Sequence, residues 1–216
     1  MSKLIDLSVQ SFIHEVDSKS PAPGGGSVSA LMSAMGVALM RMVGHLSVDK
    51  KKFLALDSKI QFEFKDVVES LEVVKEEFMH LIDQDTEAFN LIVKAYQMPK
   101  NTEEEITMRK EKIQEGTMKA IMVPLKVATL SLSALHQFDY ILTYGNKQTI
   151  SDLGVATLSL SSGALGAIMN VMINLPGLDD EIAKKQFLFQ VEDLKHKVEE
   201  AREDLLKKVY LSLNSK

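Results

Sequence analysis

The stretch SPAPGGGSVSALMSAMG, residues 20–36, places two prolines and three consecutive glycines directly before a long apolar segment. That segment continues to about residue 46 and mixes very small residues with methionines. Small residues allow neighbouring helices to approach closely, and flexible methionine side chains fill the irregular gaps between them. Because a helix that is apolar on all sides is buried on all sides, we predict a buried helix over residues 26–46. We expect this helix to lie at a subunit interface as well, which predicts a two-fold homodimer.

Helical periodicity covers almost the whole chain, and no run of β-branched residues alternates over the length of a strand. Further helices are predicted over residues 8–18, 54–97 and 180–213, with two more between residues 102 and 175. The first of these two begins with a capping box formed by Thr102 and Glu105, and Pro124 is expected to kink or restart it. We therefore predict an all-α, single-domain helical bundle with long helices that comprises residues 1–216.

Composition excludes several classes of function. A net charge of −5 disfavours a nucleic-acid partner, and the densest basic run, Lys50-Lys51-Lys52, is interpreted as a solvated loop. The chain has no cysteine, and its five histidines show no spacing typical of a metal site, so no metal is expected. The N-terminal residues lack the pattern of a signal peptide, which favours a cytoplasmic location.

Residues 153–175 are uncharged and long enough to span a bilayer. They are also rich in Ser, Gly, Ala, Thr and Asn, carry no aromatic residue at either end, and have acidic flanks. Membrane spans favour aromatic belts and basic flanks on the cytoplasmic side. A central helix of a soluble bundle is therefore the preferred interpretation, and no membrane partner is expected.

One carboxylate interrupts the apolar seam of the helix predicted over residues 54–97. Asp85 occupies a position whose neighbours at spacings of three and four are apolar, from Ile60 to Leu81 before it and from Ala88 to Ala95 after it. A carboxylate facing a core must be paired, hydrogen-bonded or protonated. Asp85 is therefore either a general acid or base with a shifted pKa, or one half of a structural pair.

Other polar residues have two interpretations each. Gly24, Gly25, Gly26 and Ser27 precede a helix, so their N–H groups either bind an anion or only form a turn and a cap. Asp152 either performs chemistry or completes a capping box with Thr149. Asn170 and Asn174 lie one turn apart on an apolar helix, where they either bind a polar heterocycle or join helices through a structural amide network.

The chain resembles the cyclodeaminase/cyclohydrolase family of folate enzymes through an ordered set of motifs. The set includes PAPGGGSVSAL, LIDQDTEAF, MPKNTEEE, SDLGVA and NVMINL, and it extends over almost the whole chain. The resemblance implies an all-helical homodimer that binds a tetrahydrofolate derivative near the glycine segment and needs no cofactor beyond that substrate. It is strongest to the cyclodeaminase half of formimidoyltransferase-cyclodeaminase, so a separate formimidoyltransferase is a possible partner.

The resemblance also implies roles for individual residues. The two acids at matching positions, expected to be catalytic, are Asp85 and Asp152. The residues expected to bind the substrate through backbone N–H groups, amides or a cation are Gly24, Gly25, Gly26, Ser27, Lys100, Asn146, Asn170 and Asn174. Among these, Lys100 is expected to bind the glutamate tail of the folate.

Two reactions fit this resemblance, and the sequence slightly favours the first. A cyclodeaminase closes 5-formimidoyltetrahydrofolate to 5,10-methenyltetrahydrofolate and releases ammonia. A cyclohydrolase hydrolyses 5,10-methenyltetrahydrofolate reversibly to 10-formyltetrahydrofolate. A protein that binds folate without turning it over, or a non-catalytic helical scaffold, is the third alternative.

Overall fold

A computed structural model describes residues 3–214, and this part of the chain is helical with no strand. Its helices are α1 (Val9–Val16), α2 (Gly25–Val48), α3 (Lys51–Leu54), α4 (Ser58–Tyr96), α5 (Glu103–Tyr144), α6 (Ile150–Asn174) and α7 (Glu181–Asn214). Short 3₁₀ turns occur at Leu4–Asp6, Lys147–Thr149 and Leu175–Gly177. The predicted all-α fold with long helices is confirmed, and the assignment of residues 1–216 to one domain stays a prediction.

The centre of the bundle consists of α2, α4, α5 and α6, and α7 packs on α5 and α6. Helix α2 runs antiparallel to α4, because Ser27 near its start contacts Asp85 and Gly44 near its end packs on Val68. It also runs antiparallel to α6, since Gly25 lies beside Asn170 and Gly36 lies beside Leu160. Helix α2 therefore packs between the helix that carries Asp85 and the helix that carries Asp152, Asn170 and Asn174.

Small residues bring α2 and α6 into close contact, as the sequence predicted. A Cβ atom added to Gly163 of α6 would lie 2.2 Å from the Ser33 hydroxyl oxygen of α2. A Cβ atom added to Gly36 would lie 2.7 Å from Cγ of Leu160. Such distances are far below a van der Waals contact, so only glycine allows this spacing.

Two helix boundaries differ from the prediction. Residues 51–54 form the separate short helix α3, and α4 begins only at Ser58, where the Asp57 side chain accepts a hydrogen bond from the N–H of Lys59 (2.8 Å). The capping box of Thr102 and Glu105 is present at the start of α5. Of the two outcomes expected for Pro124, a restart of this helix is wrong, because α5 continues without interruption to Tyr144, and a kink stays a prediction.

Pro124 is accommodated inside α5 by a side chain from α6. Proline has no N–H group, so the carbonyl of Ala120, four residues earlier, loses its helical donor. Nδ2 of Asn174 donates a hydrogen bond to this carbonyl at 3.2 Å. The same Nδ2 lies 2.7 Å from the carbonyl oxygen of Asn170, which keeps the side chain in place.

Three helical segments of the described chain are, by length and composition, apolar enough to cross a membrane: Gly25–Val48, Glu103–Tyr144 and Lys147–Gly177. In the bundle these segments pack against one another, and about half of their most apolar residues are buried. One face of α2 is exposed in the single chain, including Met35 at 57%, so burial of this face by a second copy stays a prediction.

Candidate active site

Asp85 lies directly against the first turn of α2. The backbone N–H of Ser27 donates to Oδ2 of Asp85 at 2.9 Å, and the Ser27 hydroxyl oxygen lies 3.2 Å from the same atom. A Cβ atom added to Gly26 would lie 2.0 Å from Oδ1 of Asp85, so a glycine is required for the carboxylate to reach the helix. The Ser27 hydroxyl also donates to the carbonyl of Ile82 (2.8 Å), which joins α2 to α4.

The environment of Asp85 makes its carboxyl group a weaker acid than usual. Burial raises the pKa of Asp85 above its ordinary value of 3.8, and the hydrogen bonds from Ser27 oppose this rise without cancelling it. The positive end of the α2 dipole also favours the carboxylate. A carboxyl with a raised pKa is suited to accept a proton and to return it in a later step.

The predicted anion cradle is occupied in part by the protein's own carboxylate. Gly24 is the N-cap of α2, Gly26 makes room for Asp85, and the N–H of Ser27 binds Asp85. Gly25 is exposed, and no described acceptor bonds the N–H of Gly25 or Gly26. Two N–H groups in this turn therefore face no acceptor within the described chain.

Asn170 flanks the other side of the same turn. A Cβ atom added to Gly25 would lie 3.1 Å from Nδ2 of Asn170, and this Nδ2 donates to the carbonyl of Gly166 (2.8 Å). Among the described residues no donor bonds Oδ1 of Asn170. Asn174, one turn further, donates to two carbonyls and holds α5 against α6, which is the structural amide role. We call Asp85, Gly25, Gly26, Ser27 and Asn170 the carboxylate end.

Two predicted site residues lie at the opposite end of α2. The N–H of Asn146 donates to the hydroxyl of Ser47 (2.7 Å), and the Asn146 side chain accepts from the N–H of Gln148 (3.1 Å). Asp152 is half-buried in the first turn of α6. The capping box proposed for it is absent, because the Thr149 hydroxyl donates instead to the carbonyl of Asn146 (2.8 Å).

A basic cavity of about 370 Å³ adjoins these residues. It is lined by Ser47, Lys50, Lys51, Lys52, Phe53, Tyr144, Gly145, Asn146, Lys147 and Gln148. No described carboxylate lies within 4.0 Å of any of the four lysine ammonium groups. Burial lowers the pKa of Lys147. Residues 50–52 are exposed, as predicted, but Lys51 and Lys52 belong to the short helix α3 rather than to a loop, and the cavity beside them was not predicted. We call Lys50, Lys51, Lys52, Asn146, Lys147 and Asp152 the lysine end.

One chain does not bring the predicted residues into a single site. Ser27 and Ser47 are 20 residues apart on α2, which corresponds to about 30 Å between the carboxylate end and the lysine end. Lys100 is exposed in the connection between α4 and α5, beyond the end of the helix that carries Asp85. Asp85 does not line the basic cavity or any of four other surface cavities of the described chain.

Comparison with known proteins identifies relatives that match the chain over most of its length. The model of the family described as formiminotransferase-cyclodeaminase matches residues 8–193. The chain is 36% identical to a methenyltetrahydrofolate cyclohydrolase of Methylorubrum extorquens over 187 residues, which cover 87% of this chain and 88% of that protein.

Two further comparisons concern proteins with cyclodeaminase names. The chain is 35% identical to a formimidoyltransferase-cyclodeaminase of Rattus norvegicus over 191 residues, which cover 88% of this chain and 35% of the rat protein. It therefore spans about a third of that relative's length. Its fold matches the crystal structure of a formiminotetrahydrofolate cyclodeaminase from Thermotoga maritima with a TM-score of 0.82 and 27% identity, covering 95% of this chain and 96% of that one.

Proposed function

Because this chain belongs to the formiminotransferase-cyclodeaminase family, we propose that it is a folate one-carbon enzyme that converts 5-formimidoyltetrahydrofolate to 5,10-methenyltetrahydrofolate and ammonia. The observation that carries this proposal is the carboxyl of Asp85, which has a raised pKa and lies on the first turn of α2. Such a group is suited to a reaction in which one proton is accepted and one is delivered.

The reaction needs two proton transfers and little else. N10 of the folate attacks the carbon of the protonated formimidoyl group (CH=NH2+) on N5. A bond from N10 to that carbon forms, the carbon–nitrogen double bond becomes a single bond to an amino group, and N10 loses its proton. The bond from the carbon to the amino nitrogen then breaks as that nitrogen is protonated and leaves as ammonia. Asp85 accepts the first proton and delivers the second. Because both nitrogens belong to one molecule, holding them close supplies much of the acceleration.

The other residues are proposed to bind the substrate. The N–H groups of Gly25 and Gly26 have no acceptor among the described residues and are proposed to bind the substrate next to Asp85, and Oδ1 of Asn170 is proposed to accept from a pterin N–H group. Gly24, Ser27 and Asn174 shape this turn and the adjoining helix contacts. Further contributions are proposed from Asp152 as a second acid, Asn146 as an amide ligand and Lys100 as a partner of the glutamate tail.

Hydrolysis of 5,10-methenyltetrahydrofolate to 10-formyltetrahydrofolate is the second candidate. It is favoured by the Methylorubrum extorquens relative, because 88% of that cyclohydrolase is matched by this chain. In that reaction Asp85 removes one proton from the attacking water and returns it to the departing N5, and the second proton of that water is released to solvent as the formyl carbonyl forms. A protein that binds folate without turnover is the third candidate, and it requires that Asp85 be only a structural acceptor for Ser27.

We propose that the protein acts in the cytoplasm as a two-fold homodimer, without a metal or a cofactor beyond the tetrahydrofolate substrate. A separate formimidoyltransferase is its proposed partner for substrate supply, since the rat relative carries both names in one chain. Neither nucleic acid nor a membrane is proposed as a partner, because the chain carries a net charge of −5 and its apolar helices pack on one another.

A spectroscopic assay distinguishes the candidates. Purified protein is given 5-formimidoyltetrahydrofolate in one cuvette and 5,10-methenyltetrahydrofolate in another, and the near-ultraviolet band of the methenyl group is followed. Growth of the band with release of ammonia is the expected result. Accelerated decay in the second cuvette alone supports the cyclohydrolase, and no change in either contradicts both enzymatic proposals.

A further inference from the structure

The hydroxyl of Ser27 lies within hydrogen-bond distance of three oxygen atoms of α4. Its Oγ is 2.8 Å from the carbonyl oxygen of Ile82, 3.2 Å from Oδ2 of Asp85 and 3.2 Å from the hydroxyl oxygen of Thr86. Ser27 is fully buried, so bulk water does not compete for these bonds. A hydroxyl group has one hydrogen to donate and two lone pairs. The Ser27 hydrogen can therefore bond only one of these neighbours at a time.

Two of the three neighbours can only accept a hydrogen bond. The carbonyl of Ile82 and an ionised Asp85 have no hydrogen to donate, whereas Thr86 can donate to Oγ of Ser27. Thr86 can therefore hold the serine oxygen in place while its hydrogen turns about the Cβ–Oγ bond, between Ile82 and Asp85. The Ile82 carbonyl lies inside α4, where carbonyl groups accept from the N–H four residues later, so it keeps a partner when the hydroxyl turns away.

The charge of Asp85 decides which acceptor the hydroxyl prefers. Hydroxyl groups bond oxygen most often at about 2.7–2.8 Å. A neutral Asp85 at 3.2 Å is therefore a poorer acceptor than the Ile82 carbonyl at 2.8 Å. An ionised Asp85 reverses this order, because charge-assisted hydrogen bonds are about twice as strong as neutral ones and draw the two oxygens closer.

The two oxygens of the Asp85 carboxyl group are not equivalent. Oδ2 accepts from the backbone N–H of Ser27 at 2.9 Å, and this bond does not depend on the hydroxyl. Oδ1 accepts from no donor in the described part of the chain, and it lies against Gly26, which has no side chain to cover it. Because Oδ2 is already held, Oδ1 is the oxygen that is available to bind a proton.

Ser27 is the only described residue whose hydrogen bonds shift the pKa of Asp85. Burial raises this pKa, and the side-chain and backbone hydrogen bonds of Ser27 lower it. The elements packed around the carboxyl carry other titratable groups, none of which adds to the shift: Asp83 and Glu87 on α4, Lys119 and Lys126 on α5, Arg41 on α2, Asp152 on α6 and Asp6 in the N-terminal 3₁₀ turn. The two lysines of α5 pair instead with Glu115 and Glu77.

We propose that the hydroxyl of Ser27 is a positioning group that turns with the charge of Asp85. It donates to Oδ2 while Asp85 is a carboxylate and to the Ile82 carbonyl while Asp85 is a carboxylic acid. The substrate proton is accepted and returned at Oδ1, and Ser27 keeps its own hydrogen throughout. A fixed bond to Asp85 would favour the ionised form and oppose acceptance of the proton. This inference rests on the proposed function, because proton transfer by Asp85 is the step that it serves.

Infrared difference spectra test the turn of the hydroxyl without any substrate. Spectra at acid and neutral pH are subtracted, and the same difference for Asp85→Asn is removed, so that the carboxylate and protonated-carboxyl bands of Asp85 remain. Ser27→Ala should shift the carboxylate band, which loses a donor, and leave the carbonyl band of the protonated carboxyl in place. A shift of both bands means that the hydroxyl stays on Asp85, and a shift of neither means that it stays on Ile82. Either result overturns the proposal.

The pH profile of turnover is the second test. Ser27→Ala removes a donor to the ionised form, so it should raise the pKa of Asp85 and move the low-pH limb of kcat/KM to higher pH. At the plateau, kcat should fall about tenfold, because the carboxylate is held less firmly. Ser29→Ala is the matched control, since Ser29 is buried in the same turn of α2 and its hydroxyl donates to the carbonyl of Gly25 (2.6 Å). Its limb should stay in place, and an equal movement in both variants overturns the proposal.

Ser27→Cys is the second variant, for the case in which Ser27→Ala does not fold. A thiol is a much weaker donor than a hydroxyl, so the carboxylate band and the low-pH limb should move in the same directions. A folded Ser27→Cys protein with the band and the limb of the wild type overturns the proposal. Wild-type protein that is inactive on both folates contradicts the proposed function instead, and the infrared spectra then decide the role of Ser27.

Discussion

The two ends of the antiparallel α2–α6 pair are built in opposite ways. At the carboxylate end, glycines allow Asp85 and Asn170 to pack on the helix start, and the Asp85 carboxylate is bonded by Ser27. At the lysine end, side chains are long and cationic, and they surround a cavity. The carboxylate end has a carboxyl group with a raised pKa, and that carboxyl lines none of the cavities described above. The lysine end has a cavity and positively charged side chains.

This difference shows that a helix N-terminus preceded by glycines is not always an anion site for a ligand. In α2 one of the free N–H groups binds a carboxylate of the same chain, 58 residues away in the sequence. The proposed chemistry therefore depends on the bound carboxyl, whereas the cavity lined by lysines lies at the other end of α2. Variants at each end should consequently affect different kinetic constants.

The largest effect is expected for Asp85→Asn. The amide keeps an oxygen that accepts from Ser27 but cannot transfer the proton, so kcat should fall by about 10²- to 10⁴-fold with little change in fold. Steady-state kinetics on both folates measure the loss. Asp83→Asn is the matched control, because Asp83 only accepts a hydrogen bond from the N–H of Leu4 (2.6 Å) and Asn can do the same. Equal kcat values for the wild type and Asp85→Asn would remove Asp85 from the mechanism.

Gly26→Ala should act nearly as strongly through the position of Asp85. The added Cβ would lie 2.0 Å from Oδ1, so the carboxylate must move, and kcat should fall at least about tenfold with a stability loss of about 1–3 kcal/mol. Gly36→Ala is the control, since it meets Leu160 at 2.7 Å far from Asp85 and should lower stability alone. Denaturant unfolding and kcat per folded molecule separate the two effects. Similar kinetics for both variants would contradict the role of Gly26.

Asp85 should also make stability depend on pH. Because burial raises its pKa in the folded state above the ordinary 3.8, the folded protein binds the proton more tightly than the unfolded chain. The favourable contribution is present below pH 3.8 and is lost as the pH rises through the raised value. Asp85→Asn should therefore gain stability relative to wild type as the pH increases over this range. Unfolding curves at several pH values measure the free energy of unfolding of Asp85→Asn minus that of the wild type. A difference that falls with increasing pH would contradict the raised pKa.

At the other end, replacing Lys50, Lys51 and Lys52 with alanine should weaken substrate binding. We expect KM for folates with an anionic tail to rise about tenfold, with a smaller change in kcat, because lysines beside a cavity attract an anionic group but transfer no proton. The increase should be smaller at high salt, which screens charges. Lys65→Ala, an exposed lysine on α4, is the control and should leave KM unchanged. An unchanged KM in the triple variant would show that these three lysines do not contribute to substrate binding.

The smallest effect concerns the contact that accommodates Pro124. Asn174→Ala leaves the Ala120 carbonyl without a donor and should cost about 1–2 kcal/mol of stability. In a Pro124→Ala background the helix supplies an N–H to that carbonyl, so the same change should cost less. A double-mutant cycle by denaturant unfolding measures this coupling. Equal costs in the two backgrounds would show that Asn174 does not compensate for the proline.

Much of the fold could be predicted because helical signals are local. The apolar spacing, the capping box at Thr102 and the turn near Gly145 involve residues within a few positions of each other, and all three are present in the structure. The start of α4 was placed too early, because Leu54 continues the apolar spacing although the chain turns before Asp57. That α5 passes Pro124 without a restart could not be derived from the sequence, because the compensating donor lies on another helix.

The candidate site was predictable only in part. The seam position of Asp85 and the glycines at residues 24–26 were visible as breaks in a local pattern, and the structure brings them together. Their contact could not be derived from spacing, because it depends on α2 and α4 running in opposite directions. Asn146 and Asp152 were grouped with Asp85 by resemblance, and a single chain places them at the other end of α2.

By itself, the sequence determined an all-helical chain, a carboxylate on an apolar seam and a resemblance to folate enzymes. These follow from periodicity and motifs, in which each residue is judged against neighbours one or two turns away. The tertiary structure decided that Ser27 binds Asp85, that Asn174 supplies the donor Pro124 lacks, and that the polar residues form two ends about 30 Å apart. These features depend on the direction and spacing of packed helices, because each joins residues more than fifty positions apart.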